Sequence, residues 1–138
     1  MQDQTVAEFA EQWFEELSDR APVDRLLERV TDAGLDMAFP ERTLTGHEDF
    51  TDWYRAVGEL FADQTHVIEQ LHADPRGDLV DVDVTVVWAG VETADGSRFA
   101  FRVNQNWTLR RGPDGKLRIQ RYRVGDFVPL PAVSAGDA

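Results

Sequence analysis

Imidazole, carboxylate and amide side chains are the groups of this sequence that could do chemistry. The chain has three histidines and no cysteine, so thiolate nucleophiles and cysteine-bound metals are excluded. His66 is the leading candidate, because an imidazole titrates near neutral pH and can take up or release a proton. No His-x-His or His-x-x-x-His pair is present. We therefore predict neither a metal site nor any other cofactor.

The segment that carries His66 reads as a strand with alternating faces. Strict alternation places Ile68, Gln70 and His72 on the same face as His66. A cavity lined in this way is polar enough to orient a ligand. His72 stands close to a predicted Asp74-Pro75 turn, where an exposed histidine is the common outcome.

Two later strands supply further candidates for binding a substrate. Apolar side chains take the odd positions of residues 99–107, so Gln105 is predicted to face the cavity and to bind a carbonyl group. Asn104 takes that role only if a bulge shifts the register. Arg121 shares a predicted face with Ile119 and is a candidate cation for an acidic ligand or for Asp19, or else a charge at the rim or a dimer contact.

Aromatic residues on helical or strand spacing complete the list of candidates. Trp13, Tyr54 and Trp88 are predicted to line the cavity, and such residues also serve as plain packing. Tyr54 is the member with an ionisable hydroxyl. The predicted substrate-binding set is therefore Trp13, Tyr54, Trp88, Asn104, Gln105 and Arg121.

Three amphipathic helices are predicted before these strands. Apolar residues repeat at helical offsets over residues 5–19, and Thr5 with Glu8 has the spacing of a capping box. Pro22 suits the first turn of a second, shorter helix. A third helix is predicted over residues 46–62, after a short strand around residues 35–39.

From Gln64 onward the apolar period changes to two, and turn sequences separate four long strands. Strands as long as the domain is wide must coil, and the concave face of such a sheet needs a cover. The expected fold is α+β, a cone-shaped curved antiparallel sheet, or half-barrel, covered by the three N-terminal helices. Residues 1–129 are predicted to form one domain, followed by a flexible tail at 130–138.

Composition restricts the partners of this domain. The net charge of −12 and the pI near 4.5 repel the phosphates of nucleic acids and of anionic lipid surfaces. No stretch reaches the ~20 apolar residues of a membrane helix, and the N-terminus lacks the pattern of a signal peptide. We therefore predict no nucleic acid partner, no membrane association and a cytoplasmic location.

The order of helices and strands resembles the nuclear transport factor 2-like superfamily, including its SnoaL-like and scytalone dehydratase-like branches. The resemblance covers residues 5–128, and four local sequences also carry it. They are Asp24-Arg25-Leu26-Leu27, Leu44-Thr45-Gly46-His47-Glu48-Asp49-Phe50, Thr65-His66-Val67-Ile68 and Asp114-Gly115-Lys116-Leu117. The superfamily contains isomerases, dehydratases, cyclases, epoxide hydrolases and noncatalytic domains, so the resemblance implies the fold and leaves the function open.

The scytalone dehydratase-like branch has an aspartate at the end of its first helix that supports strand histidines in acid–base work. Asp19 and His66 occupy the matching positions, so the resemblance implies a catalytic pair. Ser18 and Met37 stand where that branch has two tyrosines, and residues 78–92 contain no second histidine. Scytalone dehydratase activity itself is therefore not expected.

Two functions remain open on this basis. The first is a cofactor-independent cyclase, isomerase or dehydratase that acts on a small apolar, oxygenated ligand by proton transfer at His66, oriented by Asp19. The second is a noncatalytic ligand-binding or dimeric association domain. An apolar outer patch of Val67, Leu71, Val87 and Trp107 is predicted to support a homodimer.

Overall fold

A computed structural model describes residues 5–130 of the chain. Its helices are α1 (Val6–Ser18), α2 (Val23–Leu27) and α3 (His47–Leu60). Its strands are β1 (Asp36–Ala38), β2 (Thr43–Leu44), β3 (Phe61–Arg76), β4 (Leu79–Glu92), β5 (Arg98–Arg111) and β6 (Leu117–Pro129). The predicted α+β class and the predicted order of elements are confirmed, and β2 is an addition.

The two longer helices begin in different ways. Thr5 and Glu8 form the predicted capping box at the start of α1, with each side chain bonded to the other residue's backbone N–H. Thr45 and Glu48 repeat the capping-box spacing at the start of α3, but Gly46 is the N-cap there and forms no side-chain cap. Asp49 instead accepts hydrogen bonds from the backbone N–H and the hydroxyl of Thr45.

The six strands form one curled, unclosed sheet in the order β2-β1-β6-β5-β4-β3. The four long strands pair antiparallel in chain order, as predicted, and β1 joins β6 in parallel. The beginnings of β3 and β5 therefore lie at the same end of the sheet as the last residues of β4 and β6. The helices cover the concave face, where the core lies.

Local irregularities change which side chains face inward on two strands. A register shift between Ile68 and Gln70 leaves Gln70 and His72 exposed, while Leu71 packs against the core. The prediction that Gln70 and His72 share the face of His66 is therefore wrong. Leu71 likewise does not belong to an outer patch.

A second register shift separates Thr108 from Leu109 opposite the early part of β6. Ile119 and Tyr122 are buried, whereas Arg121 is exposed. The prediction that Arg121 shares the face of Ile119 is therefore wrong. Trp107 is also buried completely on the concave side, which corrects its assignment to an outer patch.

Within residues 5–130, no helix combines the length and the apolar character needed to cross a membrane. Of the predicted tail at 130–138, residues 131–138 lie outside the described residues. Leu130 continues the pairing at the end of β6, because its N–H donates to the carbonyl of Ala100 over 2.9 Å.

Candidate active site

A cavity of about 120 Å³ opens at the end of the sheet where β3 and β5 begin. The C-terminal part of α1 and one face of α3 close it from the helical side. Most of its wall is apolar. The polar side chains in its lining are Arg20, Glu41, Tyr54, Gln64, His66, Gln105 and Tyr122.

His66 is fixed in this wall by two neighbours from α1. The hydroxyl of Ser18 lies 3.0 Å from Nδ1 of His66, and the imidazole stacks on the ring of Phe14 with 5.5 Å between ring centroids. Among the described residues, Nε2 has no hydrogen-bond partner. Nε2 is therefore the nitrogen that remains available to a ligand.

Desolvation lowers the pKa of His66 from 6.5 to about 4. No carboxylate offsets this shift, and a stacked benzene ring and a serine hydroxyl stabilise an imidazolium poorly. His66 is consequently neutral at pH 7. A serine hydroxyl can either donate to Nδ1 or accept from it, so the site accommodates both tautomers of the neutral ring.

Two glutamine amides of the cavity wall are held in one orientation by tryptophans. Trp88 Nε1 donates to Oε1 of Gln64 over 2.9 Å, and Trp107 Nε1 donates to Oε1 of Gln105 over 3.0 Å. An indole N–H can only donate, so it must meet the amide oxygen. The NH₂ group of each glutamine is therefore the part that can donate, and that of Gln105 already meets the hydroxyl of Tyr122. Both amides are buried in the cavity wall.

The two tyrosines of the cavity are protonated, and their surroundings differ. Burial raises the pKa of Tyr122 and, less strongly, that of Tyr54. The hydroxyl of Tyr54 donates to the carbonyl of Ala21 over 2.6 Å. The hydroxyl proton of Tyr54 is thus used in a backbone hydrogen bond. The aromatic ring of Tyr54 lines the cavity.

The structure separates the predicted site residues into two groups. His66, Tyr54, Trp88 and Gln105 line the cavity, whereas Trp13 is buried in the core away from its wall. Asn104 lies on the outer face of the sheet and donates to the hydroxyl of Thr85 over 3.2 Å. Arg121 also lies there, 3.5 Å from the amide oxygen of Asn106. Trp13, Asn104 and Arg121 therefore do not line the cavity.

Asp19 is not brought to His66. It is the C-cap of α1, its backbone N–H donates within the helix, and its side chain is exposed. Ser18, one residue earlier, holds the imidazole instead. The predicted hydrogen-bonded pair of Asp19 and His66 is absent from the described structure.

The sequence did not reveal Gln64 and Arg20 as cavity residues, nor Ser18 as the partner of His66. Gln64 and Trp88 are 24 positions apart in the sequence and lie on different strands, so no local pattern reveals their hydrogen bond. In residues 5–130, no group of three or more histidine, aspartate or glutamate side chains is arranged to hold a metal ion.

Comparison with known proteins identifies solved structures that have a similar fold. No family model matches the sequence, and none of the curated proteins matches it. Solved structures do match, at low identity. A nuclear transport factor 2 (NTF2-like) superfamily protein from Salmonella enterica serovar Typhimurium is 12% identical with a TM-score of 0.79, covering 95% of this chain and 94% of that chain.

Two further similar structures carry names that state a reaction. Hexachlorocyclohexane dehydrochlorinase LinA-type3 from Novosphingobium barchaimii is 16% identical with a TM-score of 0.77, covering 93% of this chain and 89% of that chain. A scytalone dehydratase-like protein from Novosphingobium aromaticivorans is 13% identical with a TM-score of 0.77, covering 94% and 92%. The predicted nuclear transport factor 2-like fold is thus confirmed.

Proposed function

We propose that this protein is a small-molecule enzyme that needs no cofactor and moves a proton at a carbon next to a carbonyl group. The observation that carries the proposal is the position of neutral His66. Its Nδ1 is held by Ser18 and its Nε2 is left to the cavity. The two oriented amides of Gln64 and Gln105 line the same cavity.

The chemistry follows from these groups. Nε2 of His66 takes the proton, the electrons of the broken C–H bond form a C=C bond, and the carbonyl π electrons move to oxygen. The NH₂ group of Gln64, whose oxygen is held by Trp88 opposite His66, stabilises the resulting enolate oxygen, because donors in a dry site act strongly on developing charge. Collapse of the enolate then expels a β-substituent, which is elimination, or takes a proton at another carbon, which is isomerisation.

Ser18 makes both directions of proton transfer possible. When His66 becomes an imidazolium, Nδ1–H donates to the hydroxyl of Ser18, and the positive ring attracts the enolate beside it. The low pKa of His66 makes this imidazolium a strong acid. It therefore returns its proton readily to the leaving group or to the product.

The cavity limits the size of the ligand. An enclosed apolar cavity of about 150 Å³ accommodates one benzene ring, and the cavity beside His66 has about 120 Å³. A substrate portion of about one ring fits, with any larger portion extending through the mouth. The names of the dehydrochlorinase and of the scytalone dehydratase-like protein both denote eliminations. These names support elimination as the first reaction to test.

Exchange of carbon-bound protons with solvent tests the proposal without knowledge of the substrate. In D₂O, we expect the protein to catalyse deuterium incorporation next to the carbonyl in members of a panel of single-ring ketones and keto acids, followed by proton NMR. His66→Asn should lower the exchange rate by about 10² or more. The matched control is His72→Asn, which alters an exposed histidine of the same strand and should leave exchange unchanged. Equal exchange by wild type and His66→Asn would refute the mechanism.

One observation favours a second candidate, a noncatalytic binding pocket. No carboxylate supports His66, and a base of pKa about 4 is weak on its own. The same oriented amides would then hold a carbonyl ligand without converting it. Saturable binding of a ring ketone, with no exchange in wild type, would favour this function.

We also propose that the outer face of the sheet pairs two copies of the chain. Val67 is 58% exposed and stands opposite Val87 on that face. Asp83 of β4 and Arg121 of β6 lie across the same face, so a two-fold arrangement can set unlike charges against each other. Sedimentation equilibrium should give the mass of a dimer. A monomer at all concentrations would exclude this arrangement.

A further inference from the structure

Arg20 occupies an unusual backbone position at the mouth of the cavity. It follows the C-cap of α1 in a Schellman arrangement, with Ala21 N–H donating to the carbonyl of Glu16 and Arg20 N–H to that of Leu17. Its φ is 56°. Glycine is the usual residue at this position, because a Cβ is strained in the left-handed region. Helix termination alone therefore does not account for an arginine here.

The guanidinium of Arg20 is held in a defined place against α3. Its Cζ lies 5.2 Å from the centroid of the Tyr54 ring, in cation–π contact. A Cβ added to Gly58 would overlap the guanidinium, so the absence of a side chain at Gly58 makes room for it. Tyr54 also bonds the carbonyl of Ala21, which fixes the loop that presents Arg20.

This cation has no carboxylate partner in the described part of the chain. Glu16, one turn earlier on α1, is engaged by Arg29, which donates to both of its carboxylate oxygens over 2.6 and 2.9 Å. None of the ion pairs within residues 5–130 includes Arg20. Glu41 lines the same mouth and likewise forms no ion pair there.

We propose that Arg20 selects ligands that carry a carboxylate, so that the natural ligand is a carboxylic acid of about one ring. The inference rests on the proposed function, and it adds the substrate class. The ring would lie between the aromatic walls, with its carbonyl at the buried amides and its carboxylate at the exposed guanidinium. Arginine suits this role because its planar donors match the two oxygens of a carboxylate.

Binding of a charged and an uncharged probe of the same shape tests the proposal. Benzoate and benzamide are titrated separately by calorimetry, with quenching of tryptophan fluorescence as a second readout, because Trp53 and Trp88 line the cavity. We expect wild type to bind benzoate about tenfold more tightly than benzamide. Arg20→Gln should abolish this preference and leave the affinity for benzamide unchanged.

Two further variants separate the position of the charge from its presence. Gly58→Ala keeps Arg20 but displaces its guanidinium, so it should reduce the preference for benzoate towards that of Arg20→Gln. Glu41→Gln removes the negative charge of the mouth and should increase the preference. A circular dichroism spectrum and thermal melt of each variant establish that it is folded.

The outcomes distinguish this inference from the proposed function. Equal binding of the two probes by wild type, or a preference that survives in Arg20→Gln, would overturn the role of Arg20 and leave the proton-transfer site intact. His66→Asn should retain the preference for benzoate although it loses proton exchange. Failure of wild type to bind either probe at millimolar concentration would overturn the inference and count against a ring-sized ligand altogether.

Discussion

The two ends of the concave face are built from the same four strands, but one end is filled with side chains and the other contains the cavity. At one end, the beginning of β4 and the end of β5 supply Val80, Val82, Trp107 and Leu109, and all four are buried. At the other end, the same strands supply Val86, Trp88, Val103 and Gln105 to a cavity wall. The first end is packed solid beneath the N-terminal part of α1, and the second remains open.

Tryptophans of the sheet allow this fold to hold polar groups in an apolar cavity. Each cavity glutamine is satisfied on its oxygen by an indole N–H, so the tryptophans that pack the sheet also orient the site. Trp107 belongs to the packed end, yet its N–H fixes Gln105 of the open end. Trp107 therefore stabilises the packed end and also orients a side chain of the cavity.

The largest expected effect comes from truncating one tryptophan at each end. Trp107→Ala should lower the free energy of unfolding by about 3–5 kcal/mol, because a completely buried ring leaves a cavity behind. Trp88→Ala should cost less, because Trp88 already borders an open cavity. Denaturant unfolding measures both values. Equal costs would mean that the open end is as tightly packed as the other end.

A second prediction concerns the pH dependence of stability. The pKa of His66 is about 4 in the folded protein against 6.5 as its ordinary value, so the unfolded chain binds the proton more readily. Stability should therefore fall as pH decreases from about 6.5 to 4, by on the order of 3 kcal/mol from this one group. His66→Gln should remove this part of the loss. His72→Gln, which alters an exposed histidine, should retain it.

A third prediction concerns the hydrogen bond between Trp107 of the packed end and Gln105 of the open end. Gln105→Leu removes the amide that accepts from the buried N–H of Trp107 and bonds the hydroxyl of Tyr122, and it should cost about 1–3 kcal/mol of unfolding free energy. Asn104→Leu is the matched control on the adjacent outward position, and it should cost less, because Asn104 is exposed. Chemical denaturation of both variants measures the difference. A smaller cost for Gln105→Leu than for Asn104→Leu would contradict the assigned orientation of the amide.

The smallest expected effect concerns the strain at Arg20. Arg20→Gly and Arg20→Gln both remove the cation, but only glycine relieves the left-handed backbone. Arg20→Gly should therefore be more stable than Arg20→Gln by about 1 kcal/mol. Thermal melts in one buffer compare them. A more stable Arg20→Gln would show that the backbone at this position is not strained in solution.

Most of the fold could be predicted from the sequence, because periodicity reports which face of an element is buried. The capping box of Thr5, the three helices and the order of the long strands all follow from local patterns. The inward position of Gln105 followed from strict alternation, since β4 and β5 pair without a register shift. Where a shift intervenes, after Ile68, the same reasoning put Gln70 and His72 on the wrong face.

The site was less predictable because its contacts join distant parts of the chain. Which residue of the last turn of α1 meets His66 depends on how the helix packs on β3, and the resemblance favoured Asp19 where the structure has Ser18. The orientation of Gln64 depends on Trp88 of the next strand. A bulge or a side-chain pairing of this kind is a property of the packed molecule and leaves no periodic signal.

Titration of the His66 ring by NMR, in wild type and three variants, shows whether His66 is a neutral imidazole held by Ser18. We expect a His66 pKa of about 4 that stays unchanged in Asp19→Asn, because the carboxylate of Asp19 does not contact the ring. Ser18→Ala should alter the tautomer balance of the neutral ring, and Ser18→Asp should raise the pKa by placing a carboxylate at Nδ1. A His66 pKa near 6.5 that falls in Asp19→Asn would contradict the account and restore a catalytic pair of Asp19 and His66.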